Sequence, residues 1–124
     1  QAAQRDAVAK EAELDLAQRR RQVALEVDQA SADLATAEAA LTQARTQLAF
    51  ASQNAEEVRE RFQNGLATAL EQTDAQVSAF EAEVEVARQG FARDVADLAL
   101  QRALGGWPGG GPGAGPSPTL QETP

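Results

Sequence analysis

The sequence predicts an all-α fold, a long antiparallel helical hairpin of the coiled-coil type with unequal arms and a disordered Gly/Pro-rich tail. Three observations predict it. Alanine supplies 28 of the 53 hydrophobic residues while aromatic residues are 4%, so bulky side chains are too few for a thick globular core. Apolar residues recur at seven-residue intervals from Leu16 to Phe62. No Pro or Gly interrupts that stretch, and the first glycine, Gly65, stands between two long helical patterns.

The first arm, residues 1–63, carries two interleaved rows. One is Val27, Leu34, Leu41, Leu48, Ala55 and Phe62; the other is Leu16, Val23, Ala30, Ala37, Ala44, Ala51 and Val58. A strict seven-residue repeat keeps a seam on one helix face and implies a left-handed supercoil against a partner. The second arm, residues 69–104, has the row Leu70, Val77, Val84, Phe91 and Leu98. Reversing the chain at Asn64–Gly65 sets Phe62 against Leu70, Ala55 against Val77, Leu48 against Val84, Leu41 against Phe91 and Leu34 against Leu98. The expected hairpin core is therefore Leu34, Leu41, Leu48, Phe62, Leu70, Val77, Val84, Phe91 and Leu98.

At about 1.5 Å per residue the first helix would run roughly 90 Å and the second about 55 Å. Where the second helix ends, the large row of the first turns polar, at Arg20, Glu13 and Asp6. Leu16 and Val23 still extend the alanine row, so that face is expected to pack on something further, with a frayed N-terminal arm as the plainer reading. The chain opens on Gln in mid-pattern, which predicts that it is a piece of a longer polypeptide.

The element ends have recognisable signals. Asn64-Gly65 stops the first helix, with Gly free to adopt positive φ. Thr68 and Glu71 have the spacing of a capping box at the start of the second. Gly105, Gly106 and Pro108 end it, and residues 105–124, "GGWPGGGPGAGPSPTLQETP", form the flexible tail. Gly90, inside the second helix, should cost about 1 kcal/mol relative to Ala and is expected to permit a close helix contact.

The composition excludes much chemistry. Without His or Cys there is no disulfide, no thiol nucleophile and no zinc-type cluster. We expect no catalytic residue, no metal, no cofactor and no enzyme activity. A formal charge of −8 argues against nucleic acid, and the one basic run, Arg19–Arg21, lies among Glu13, Asp15, Glu26 and Asp28. No apolar stretch reaches the roughly 18–20 residues of a membrane-spanning helix. Glu71 and Asp74 share one side of the second helix near its start. They serve either the helix dipole or, with several hairpins in a ring, an acidic opening that attracts cations.

The stretch "RFQNGLATALEQTDAQ", Arg61 to Gln76, followed by "LALQRALGGW" from Leu98, resembles the C-terminal part of the TolC-type outer-membrane efflux and secretion proteins. The matching tip positions are Gly65, Thr68, Leu70, Glu71, Asp74, Ala75 and Gln76; further on they are Leu98, Ala103, Leu104 and Gly105. The resemblance covers roughly residues 1–106. It implies a fragment of a homotrimeric channel, with a β-barrel in the outer membrane of a Gram-negative bacterium and this region in the periplasm, in the wall of an α-helical tunnel. It implies that Asn64, Gly65, Leu66, Ala67 and Thr68 form a tip that docks a periplasmic adaptor and, through it, an inner-membrane pump. It also implies that Glu71 and Asp74 line the entrance aperture. Ala67 departs from members that carry a basic locking residue there. The alternatives are a periplasmic adaptor hairpin and a purely structural coiled coil.

Overall fold

The computed structural model describes residues 1–105, and the expected tail beyond Gly105 lies outside the described residues. The described residues form two helices and no strand: α1, Ala2–Gln63, and α2, Ala69–Gly105. Gly105 is still helical, one position past the expected end. The described residues divide into two units, residues 32–97 and a unit of residues 1–31 with 98–105.

In the first of these units the helices run antiparallel. Arg93 of α2 reaches Glu38 of α1 at 3.7 Å, and Leu41, Thr42 and Arg45 share a cleft with Gly90, Arg93 and Asp94. On α1 the inward residues of this unit fall on the two expected heptad rows, with half-buried Ala40 beside them. Leu41, Ala44 and Val58 are buried, and Leu34, Ala37, Leu48, Ala51 and Ala55 are half-buried. The repeat thus selects one stripe of α1, as a helix with an apolar seam requires.

On α2 the inward face is not the expected one. Half-buried Gln72, Ala79, Ala82, Val86, Gln89, Arg93 and Ala96, with buried Ala75, face inward at alternating three- and four-residue steps. Leu70, Val77, Val84, Phe91 and Leu98, expected in the core, are all exposed, as is Phe62 at the end of α1. This corrects the pairing of the large rows. The level along the helices is close to that expected, since Leu41 shares its cleft with Gly90 beside Phe91. What differs is the rotation of α2 about its own axis. Ala75 and Val77 are two positions apart, about 200° around a helix, so an alanine seam puts the large row on the opposite side.

The physical reason is the depth of the contact. Alanine lets two helix backbones approach closely, whereas stacked Leu, Val and Phe against Leu hold them apart. Mostly small residues on α2, against a stripe of α1 that mixes Ala with Leu34, Leu41 and Leu48, give a thin interface, and no large side chain in the described residues is fully buried. Among the polar members of the α2 seam Gln89 donates to Glu85 at 2.7 Å and Arg93 pairs with Glu38, and no buried side-chain polar atom of the described residues lacks a partner.

Gly90 also departs from expectation. A Cβ built there meets nothing within 4 Å, so no close contact in the described chain requires a glycine.

The second unit is thinner. Ala30 is buried, with Val23, Ala24, Val27, Leu100 and Ala103 half-buried, while residues 1–16 are exposed throughout. Leu16 therefore does not extend the covered seam.

Candidate docking tip

The connection between the helices, residues 64–68, is built from backbone hydrogen bonds. Asn64 N–H donates to the Glu60 carbonyl at 3.1 Å, continuing the helical pattern by one residue. Gly65 then takes φ 74°, the left-handed conformation that a Cβ would strain. Its N–H donates to the Phe62 carbonyl at 3.0 Å, and Leu66 N–H donates to the Arg61 carbonyl at 2.7 Å. Those two bonds are the Schellman closure, which satisfies carbonyls that the end of a helix leaves open.

Two residues later α2 is capped just as firmly. Glu71 N–H donates to the Thr68 hydroxyl at 3.1 Å, and Thr68 N–H donates to the Glu71 carboxylate at 3.3 Å. Gln72 N–H donates to the Thr68 carbonyl at 3.1 Å and starts the helical ladder. The capping box read from the sequence is thus present in both directions. Only Leu66 and Ala67 stand between the two closed helix ends.

The tip presents one large apolar group. Leu66 is 75% exposed, beside half-buried Ala67 and exposed Asn64, Gly65 and Thr68. Hydrocarbon at the apex of a bend fixed on both sides is available to a partner at little ordering cost. The cations beside the tip are Arg59, paired with Glu56 at 2.6 Å, and Arg61 in the last turn of α1, where a cation suits the helix dipole.

Glu71 and Asp74 are both exposed, in the first turns of α2. They differ in what they do. The Glu71 carboxylate is engaged by the backbone of Thr68, so its first role here is local closure. Asp74 lies one turn further on, past the first turn of α2, where Glu71 is the acid that suits the positive helix end. Among the described residues no group of three or more acidic, His or Cys side chains is placed to hold a metal ion. No helix of the described residues is long and apolar enough to cross a membrane.

Reading the sequence missed the α2 seam of Gln72, Ala75, Ala79, Ala82, Val86, Gln89, Arg93 and Ala96. The signal was present, because α1 already shows that alanine at seven-residue spacing marks a covered face. The larger side chains of the other row hid it.

No protein-family model matches this chain, and neither do curated proteins or solved structures.

Proposed function

We propose that the chain is a docking hairpin in the periplasmic helical wall of an outer-membrane export channel of the TolC type. It performs no chemistry. Its tip, Asn64 to Thr68, docks a periplasmic adaptor that links the channel to an inner-membrane pump, and the whole protein is a homotrimer. The observation that carries this reading is the tip itself: a bend locked by the Schellman closure on one side and the capping box on the other, with Leu66 held out to solvent. A coiled coil that serves only to dimerise has no use for a rigid apex ending in an exposed leucine. The tip stretch's resemblance to that family supplies the identity of the partner.

In this reading Asp74 contributes negative charge to the entrance aperture. Glu71 contributes mainly by holding the turn that positions it. The barrel lies in a part of the protein other than these helices, and the hairpin itself stays in the periplasm.

The test is export by the whole protein carrying this hairpin. Leu66→Ser and Gly65→Asp should each abolish export while trimer assembly and outer-membrane insertion persist. Leu66→Met, which keeps an apolar group at the apex, should retain it. Normal export by Leu66→Ser would defeat the proposal.

A further inference from the structure

The part of α2 next to the tip carries Leu70, Val77 and Val84 at seven-residue spacing, with Phe80 between the last two on the same side, and all four are exposed. They lie across the helix from the alanine seam, so the hairpin itself leaves them uncovered. Large side chains in so regular a row mark a surface that meets another protein.

The borders of the row state the chemistry of that protein. From Leu66 to Ala87 the chain holds Glu71, Asp74, Glu81, Glu83 and Glu85 and no Lys or Arg. Helix geometry sets Asp74 and Glu81 along one border of the row and Glu83 along the other. These three are exposed, and none of them holds a hydrogen bond or ion pair among the described residues. Glu71 and Glu85 are already engaged, by Thr68 and by Gln89. We propose that this face receives a basic amphipathic helix of a partner protein. Apolar residues of that helix seat on Leu70, Val77, Phe80 and Val84, and its Lys or Arg side chains reach Asp74, Glu81 and Glu83.

Charge disfavours the two other occupants. The same stretch of a second copy brings five further carboxylates and no cation, acid against acid. A neighbouring hairpin of this kind in a helical wall would present the outer face of its α1. At the level of Leu70 and Val77 that face carries exposed Glu56, Glu57 and Glu60. The row beside the tip therefore stays open in such a wall, and a partner of opposite charge can reach it. The inference goes beyond the export reading, which assigns residues 64–68 alone, and it is decided by binding rather than by export.

The probe is a labelled helical peptide of about three heptads, with Leu at the two core positions and Lys at the flanking ones, and a twin with Glu in place of Lys. Fluorescence anisotropy with the 124-residue chain should give the Lys peptide a Kd of about 1–100 µM and the Glu twin no binding. Raising salt from about 0.05 M to about 0.5 M should weaken the Lys peptide at least about fivefold. Phe80→Ser should abolish binding with unchanged helical circular dichroism, because Phe80 is 65% exposed in the hairpin. Glu81→Lys with Glu83→Lys should weaken binding at least about tenfold. Glu11→Lys with Glu13→Lys, the same change of charge on the exposed start of α1, should leave it within about twofold. Matching losses in the two double variants would show attraction to the general acidity of the chain and overturn the proposal. So would no binding of the Lys peptide, equal affinity for the Glu twin, or binding that survives Phe80→Ser. Self-association of the chain in sedimentation velocity that Phe80→Ser removes would make a second copy the occupant and overturn it as well.

Discussion

Glu38 of α1 and Arg93 of α2 meet at 3.7 Å across the hairpin, with both side chains about half exposed. The pair reports how the helices are placed without doing much to hold them. At that exposure the attraction is screened, and such pairs contribute about 0.2–1 kcal/mol. A double-mutant cycle with Glu38→Ala and Arg93→Ala should return a coupling below about 1 kcal/mol by urea unfolding. A coupling of several kcal/mol would mean that the contact is buried in solution and the seam is tighter than described.

Leu41 and Phe91 should behave oppositely. Leu41 is 8% exposed and Phe91 is 72% exposed. Leu41→Ala should destabilise the monomer by about 2–3 kcal/mol, toward the low end for buried leucine because the seam is thin. Phe91→Ala should change monomer stability by less than about 0.5 kcal/mol, since little of that ring is covered. Chemical denaturation at low protein concentration measures both. Equal losses would restore the pairing of the two large rows.

Thr68 acts through its hydroxyl. Thr68→Ala removes the acceptor for Glu71 N–H and should cost about 1 kcal/mol, while Thr68→Ser should cost far less. Glu71→Gln keeps an oxygen for the Thr68 N–H and should stay close to the parent. Amide exchange at Glu71 and Gln72 is the direct measurement, and unaltered protection in Thr68→Ala would contradict the cap.

The two glycines of the hairpin should respond with opposite signs. Gly90→Ala meets open space in a helix interior and should stabilise the monomer by about 1 kcal/mol, through helix propensity alone. Gly65→Ala places a Cβ at φ 74° and should destabilise by about 1–2 kcal/mol, although no neighbouring atom obstructs it. Melting temperatures of the two variants test this together. A stabilising Gly65→Ala would mean that the bend does not use the left-handed conformation.

Local signals in the sequence were enough for the helices, their ends and the turn. Two helices follow from alanine-rich, proline-free arms, and the stop at Gln63 and the start at Ala69 follow from Gly65 and the Thr68–Glu71 box. Each depends on interactions within a few residues, which the chain carries with it wherever it goes. The heptad rows of α1 were legible for the same reason: one repeat admits one stripe, and Ala30, Leu41, Ala44 and Val58 are the residues it covers. The face that α2 turns inward was not legible. Its two candidate rows, alanine and large apolar, have the same period, so periodicity could not rank them. That choice belongs to packing between the arms, where close approach over small side chains prevailed and left Leu70, Val77, Val84 and Phe91 facing outward. Local chemistry names the elements, but only the contact between them fixes how each is rotated, because that rotation depends on the shapes of two surfaces at once.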